Sequence, residues 1–186
     1  MNKSEVIIAS MSHVLSLVDE PLAPDLLIPV SQFTSMSYKN LEFLAVSLQH
    51  QLRYLEERFG MTFYTLNPEY IFEVKRGKTT KAFVYGDVNR NEDLEDTLCI
   101  FNRDTGISSR YIPMNNNPIW KEHTDPTLIL YAGLPIKFHH KTIYYSVASI
   151  IEKLFSRDLT LITGTKLDGF LKRAKGTQIS KRILAI

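Results

Sequence analysis

The residue string predicts an α+β fold, mostly helical. Three observations carry that prediction. From Tyr38 to Phe59, apolar residues recur at three- and four-residue spacing. After Gly60, two short β-prone runs, Tyr70 to Val74 and Lys81 to Tyr85, flank the polar stretch 75–80. From Ile143 to Leu154 a second helical stripe appears.

The 186 residues suit one domain, or one domain with an extension. A hydrophobic share of 44% is enough for a sizeable core and argues against disorder. The net charge of +2 is too small to point to nucleic acid. The single cysteine, Cys99, excludes an internal disulfide and the usual cysteine-rich zinc site. In its apolar run Cys99 reads as a core residue, not a nucleophile. The first residues lack a signal-peptide core, and no apolar run is long enough to span a membrane. An intracellular, cytoplasmic protein is the expectation.

Residues 6–18 fit a helix or a pair of strands, and periodicity does not decide between them. Pro21, Pro24 and Pro29 then break regular structure, so residues 20–36 read as an extended linker anchored by Leu26, Leu27 and Ile28. The expected organisation is an N-terminal segment with its Pro-containing linker, 1–36, followed by a domain over 37–186. Ser37 is placed to cap the long helix, and Gly60 to end it in the left-handed conformation. Leu41, Leu44, Ala45, Leu48, Leu52 and Leu55 form the buried stripe.

Residues 75–80 read as a solvated hairpin turn, and 87–97 as an acidic loop without the glycine and alternation of a calcium site. Leu98 to Phe101 is a short strand. Residues 102–125 are polar, with few apolar anchors. A loop of that length is often functional, so Tyr111, Ile119 and Trp120 are candidates for a partner surface. Thr142 is placed to cap a helix running to about Phe155. Ser146, Ala148 and Ser149 keep one of its faces small enough for close packing. Thr165 is placed to cap a last helix carrying Leu167, Phe170 and Leu171.

Few motifs carry chemistry. Among the five histidines, His50 has no partner in register, and the adjacent His139 and His140 should diverge. No glycine-rich phosphate loop is present. Gly164-Thr165-Lys166 has the wrong order for one and reads as a helix start.

The order from Leu48 onward resembles the large lobe of the protein kinases. That family has a buried helix, then a His-Arg-Asp-Leu-Lys-Pro-Glu-Asn segment, then a hairpin ending in Asp-Phe-Gly. Here Leu66, Pro68, Glu69, Ile71 and Phe72 match the segment's scaffold, and Tyr85-Gly86 matches Phe-Gly. Tyr145-Ser146-Val147-Ala148 is similar to the Trp-Ser-Leu-Gly of the family's central helix. Lys181-Arg182-Ile183-Leu184 is similar to its terminal Arg-bearing segment. Degenerate kinase-like proteins of large DNA viruses carry similar runs.

The resemblance implies a protein-kinase-like C-terminal lobe without a complete small lobe, because only 37 residues precede the long helix. It also implies lost chemistry. The catalytic Asp falls on Thr65 and its preceding His and Arg on Phe63 and Tyr64. The loop Lys falls on Asn67 and the metal-binding Asn on Tyr70. The Asp of Asp-Phe-Gly falls on Val84, and the Asp that anchors the central helix on Ile143. Phosphoryl transfer needs a hydroxyl-orienting group and acidic magnesium ligands, which these residues do not supply. Asp87 is the one nearby carboxylate and a weak candidate metal ligand.

The expectation is a pseudokinase without a cofactor, a protein-interaction or structural module of a larger assembly such as a virion. An atypical nucleotide-dependent enzyme using Asp87 and the acidic loop 92–96 is the alternative. A nucleic-acid binder using Lys75, Arg76, Lys78, Lys81, Lys172, Arg173, Lys175, Lys181 and Arg182 is the third. An isolated large lobe would also expose an apolar face, to be covered by a partner or by the N-terminal segment.

Overall fold

The computed structural model describes residues 1–18, 27–33, 35–76, 80–87 and 91–186. The fold is α+β, mostly helical, with three small antiparallel sheets. The expected linker anchor Leu26 and the hairpin turn at 77–79 lie outside the described residues.

The N-terminal run is a helix, α1 (Lys3–Ser16), started by the Asn2 side chain, which accepts a bond from the Glu5 N–H at 2.9 Å. Val6, Ile7, Ser10, Met11 and Val14 are buried along one face. The expected linker contains a strand, β1 (Leu27–Pro29), at the edge of a sheet ordered β1-β3-β4. Pro29 is tolerated there because an edge strand can spare an N–H. The partners are β3 (Ile71–Arg76) and β4 (Thr80–Tyr85), the hairpin expected after Gly60. The described residues among the first 36 therefore share one core with the rest, through Val6, Ile7, Met11, Val14, Val30 and Met36.

The long helix α2 (Tyr38–Tyr54) starts where Ser37 accepts the Asn40 N–H. It continues as a wider turn over Leu55–Phe59 and stops at Gly60, whose φ is +60°. Two polar residues on its buried face have a structural task. Strand β4 is the far edge of its sheet, so its outer backbone groups lack a strand partner. Gln51 takes that place: its Oε1 accepts the Tyr85 N–H at 2.8 Å and its Nε2 donates to the Tyr85 carbonyl at 2.6 Å. Ser47 Oγ accepts the Phe83 N–H at 3.1 Å. Helix α2 thus closes the sheet edge while burying its leucines.

Strand β2 (Met61–Phe63) pairs with β5 (Leu98–Ile100). The acidic stretch expected as loop contains a short helix, α3 (Glu92–Asp96), capped by Asn91. Residues 102–125, expected as a long loop, hold β6 (Ile107–Tyr111) and α4 (Pro118–His123). Strand β6 pairs with β7 (Pro135–His139) across the intervening α5 (Pro126–Leu130). Its residues Ser108, Ser109 and Arg110 carry little β signal, so the distant partner strand defines it.

Helix α6 (Ile143–Phe155) is the centre of the larger core, with Ile143, Val147, Ala148, Ile150 and Ile151 fully buried. Thr142 precedes it as expected, but its hydroxyl is buried and makes no cap bond. The preceding turn, His140–Thr142, is started instead by His139, whose Nδ1 accepts the Lys141 N–H at 3.1 Å. Thr165 does cap the last helix, α7 (Lys166–Ala174), at Asp168 N. A smaller core of Tyr64, Cys99, Ile112, Trp120, Leu128 and Phe138 lies beside the β6–β7 ribbon. One buried ion pair ties the chain's last segment to α5: Arg182 Nη1 lies 2.6 Å from Asp125 Oδ2.

Candidate functional site

The turn between β2 and β3 is held from both sides. The Tyr64 N–H donates to the Thr97 carbonyl at 2.9 Å, and Gly86 N–H to the Tyr70 carbonyl at 2.9 Å. Asn67 Oδ1 accepts the Glu69 N–H at 3.0 Å, which starts a short 3-10 turn with Pro68 in its first position. The Asn67 N–H donates to the Tyr85 hydroxyl at 3.1 Å. This rigid turn forms one wall of a cavity of about 410 Å³. The opposite walls come from α3 and from the segment 113–120.

Two of the three positions singled out from the sequence reach this cavity. Thr65 is buried, with its Oγ1 2.7 Å from Thr124 Oγ1. Tyr70 accepts a bond from Asn91 Nδ2 at 3.0 Å, and Asn91 in turn caps α3. Val84 is fully buried in the larger core, opposite Phe72. Asp87 does not line the cavity. It is half-buried beside a cleft of only about 10 Å³ that it shares with Ser4, Ile7 and Asn91.

Helix α1 explains the placement of the Tyr85-Gly86 end of the hairpin. Gly86 has φ +153°, and a Cβ there would lie 2.5 Å from Met11 Sδ and 3.0 Å from Ile7 Cγ2. Helix α1 packs on α2 and β4 at this end of the hairpin. Ser10 on α1 joins it to α2, accepting from Gln51 Nε2 at 3.1 Å.

The partner-surface candidates divide. Tyr111 is 52% exposed and Ile119 half-buried. Trp120 corrects the expectation of a surface residue: it is only 8% exposed and packs into the smaller core, with one side on the cavity. Its amphipathic α4 turns it inward because Leu128 and Phe138 lie there. The exposed apolar residues of this region are Tyr111, Met114, Leu130, Tyr131 and Leu134.

Two other clusters carry titratable groups. Glu56, on the wide turn after α2, accepts from the Tyr144 hydroxyl at 2.8 and 3.1 Å. Burial pushes its carboxyl up to about 7, against the Tyr144 bond and the nearby Arg53. His140 Nε2 lies 3.8 Å from Glu56 Oε1, while burial holds that imidazole down to about 4. His139 and His140 do not diverge as expected. Their rings stack 4.5 Å apart, because the strand ends between them and Phe101 stacks on His140 from the other side.

On α4, His123 Nδ1 lies 2.9 Å from Ser149 Oγ, and that hydroxyl donates to the Glu122 carbonyl at 3.0 Å. This looks like a nucleophile pair, but neither the cavity above nor a more open one of about 580 Å³ beside α7 reaches Ser149. It locks α4 to α6.

Of the five C-terminal cations, Lys181 is exposed and the other four are engaged internally. Lys172 pairs with Asp168, Lys175 with Glu152 and Arg182 with Asp125, while Arg173 donates to the Ala185 carbonyl. The side chains of Lys75, Arg76, Lys78 and Lys81 lie outside the described residues. Among the described residues no group of three or more His, Cys, Asp or Glu is placed to hold a metal ion, and no helix is long and apolar enough to cross a membrane.

Sequence reasoning found the turn but missed its surroundings. Asp93, Asp96, Asn115 and Asn117 face the same cavity from elements that the residue string did not announce. Comparison of the chain with models of known families, with curated protein sequences and with solved structures gives no match.

Proposed function

We propose that the chain is a non-catalytic, protein-kinase-like large lobe that serves as an interaction or structural module of a larger assembly. The observation that carries this is the state of the Thr65 turn. Each position where the resemblance would need a reactive or metal-binding group is occupied by a side chain with a structural role. Thr65 is bound to Thr124, Tyr70 holds Asn91, and Val84 is in the core. Asn67, at the position of the loop Lys, starts its own turn.

Two further features support the proposal. The order α2, β2, turn, β3–β4 hairpin and central α6 agrees with a large lobe. Helix α1 occupies the face of Gly86, so the chain needs no small lobe to complete its core. The interaction part is supported by the exposed Tyr111, Met114, Leu130, Tyr131 and Leu134, since monomeric proteins rarely leave such a cluster uncovered. The likeness to kinase-like proteins of large DNA viruses makes a virion one concrete setting.

Thermal unfolding with ATP and magnesium tests the non-catalytic part. A ligand that binds the native state alone raises the apparent midpoint in proportion to the logarithm of its concentration. The expected midpoint is unchanged. A saturable rise would instead support the nucleotide-dependent alternative. The internally paired C-terminal cations weigh against the nucleic-acid alternative.

A further inference from the structure

We infer that the cavity beside the Thr65 turn and the apolar patch next to it form one docking groove for a partner protein's segment: an Arg or Lys side chain enters the cavity and neighbouring apolar residues cover the patch. This rests on the interaction role proposed above and names the chemistry of the partner.

The sign of the cavity's charge is the first ground. Glu69, Asp93 and Asp96 line it and are exposed, and among the described residues none of them has an ion-pair partner. Among the described residues no Lys or Arg lines the cavity. Arg110 is not a lining residue, but its guanidinium borders the cavity through two residues that are, Tyr64 and Asp96. It lies 4.9 Å from the Tyr64 ring centroid and donates to the Asp96 carbonyl at 2.6 Å and the Tyr111 carbonyl at 3.1 Å. A phosphate or nucleotide would therefore meet three carboxylates against one guanidinium whose donors are already engaged, whereas a cation would be attracted.

The second ground is the walls. Tyr70 and Trp120 supply aromatic surface, and the side-chain carbonyls of Asn67, Asn115 and Asn117, each accepting one backbone N–H, keep a second lone pair for a further donor. A long side chain with an apolar stem and a cationic head fits this mixture. The stem lies on the rings, and the head reaches the carboxylates and amides. The volume of about 410 Å³ leaves room for such a side chain and part of its backbone.

The third ground is continuity. The segment 111–117 is shared by both features. Pro113, Asn115 and Asn117 face the cavity, while Met114 is 74% exposed and lies against Gly133. Tyr111 is paired with Pro135 in the ribbon, next to the exposed Leu134. A ligand that satisfies both sides of this segment carries a cation and adjacent apolar groups. A small polyamine lacks the second and a nucleic acid lacks both. Helix α1 and the segment at Ile186 are engaged elsewhere: α1 packs on Gly86, and the Ile186 N–H donates to Gln49 Oε1 at 3.3 Å.

The test uses the full chain and fluorescein-labelled peptides of the form Arg-(Gly)n-Leu-Leu-Tyr, with n from about zero to three to span the reach of one extended segment. Matched peptides carry citrulline for Arg, or Ser for both Leu. Fluorescence polarisation should show one spacing binding in the micromolar range, at least ~10-fold tighter than its citrulline and Ser counterparts, and weakening with salt. The double substitution Asp93→Asn with Asp96→Asn is on the exposed surface and should remove the preference for Arg over citrulline. Leu161→Ser, an exposed change that does not line the cavity, should leave it intact.

Equal binding of Arg and citrulline peptides, or no binding at millimolar peptide, overturns the inference. So does competition by spermidine at equal affinity, which would assign the cavity to a small polyamine. A failure here with no response to ATP leaves the interaction module standing with a different surface. A response to ATP with peptide binding intact overturns the non-catalytic reading alone.

Discussion

The two ends of the β4 sheet edge and the β6–β7 ribbon differ in how they finish their surfaces. At β4 the chain closes itself. Ser47 and Gln51 pair with the strand's free backbone, and α1 seals the apolar face with Val6, Ile7, Met11 and Val14. At the ribbon the chain stops short. Tyr111, Met114, Leu130, Tyr131 and Leu134 stay in water, beside a cavity whose three carboxylates outnumber the one guanidinium bordering it among the described residues. The same chain that supplies a dedicated helix to cover one face leaves the other uncovered. Burial of these side chains would be favourable, and none of the described residues provides it.

Breaking the anchor of the ribbon side should have the largest effect. Arg182→Met leaves Asp125 buried with no counter-charge, and should lose about 3–5 kcal/mol of stability, read from urea denaturation midpoints. A change below ~1 kcal/mol would mean that Asp125 reaches water when Arg182 is gone.

Next is the self-closed edge. Gln51→Leu preserves apolar volume but strands the Tyr85 N–H and carbonyl at a buried position. It should cost about 2–3 kcal/mol, and amide exchange at Tyr85 should accelerate with it. Unchanged protection at Tyr85 would show that the helix does not act as the missing strand.

The Glu56 cluster sits between the two regions and should read out in pH. Its carboxyl titrates at about 7 in the fold and near 4.5 when unfolded, so it favours the folded state below that range and loses this stability as pH rises to 7. His140 acts in the opposite direction. Its imidazole is held down to about 4 from 6.5, so stability is lost as pH falls through that window. The two slopes oppose each other over their overlap, with Arg53, Glu57, Tyr144, His139 and Lys141 as the other charged or titratable neighbours. Glu56→Gln keeps an acceptor for Tyr144 and removes one titration. Stability should then rise steadily with pH up to about 6.5 and level off, a gain on the order of 1–3 kcal/mol at neutral pH. A variant whose pH profile parallels the parent's would show that Glu56 ionises freely.

The smallest effect belongs to the open side. Leu134→Ser and Leu130→Ser each remove an exposed side chain, so stability should stay within ~0.5 kcal/mol while peptide binding in the groove falls. A large loss of stability would mean that these residues serve the fold and not a partner.

Elements whose signals are local could be read before any coordinates. Ser37 with the leucine stripe and Gly60 marked α2 from end to end, and Thr165 marked α7, because caps and periodicity act within a few residues. The β3–β4 hairpin was legible for the same reason, its partners being adjacent in the chain. The turn at Thr65 was legible as a shape, because Gly60 and Pro68 act locally. Strand β1 was hidden by its prolines, and β6 by its serines. Their strand character comes from partners far along the chain, Val74 to Phe72 for one and His139 to Pro135 for the other.

Tertiary contact also decided what individual side chains became. Gln51 is a polar residue on a helix until β4 meets it, and Trp120 is a surface candidate until Phe138 and Leu128 draw it inward. Asp93, Asp96, Asn115 and Asn117 converge only because α3 and the 113–120 segment fold across the Thr65 turn. Hydrogen bonds and apolar periodicity within one turn are properties of neighbouring residues, so the amino-acid string expresses them directly. Edge closure, burial of an ion pair and the charge of a cavity are properties of residues brought together at long range, and they come into being only with the fold.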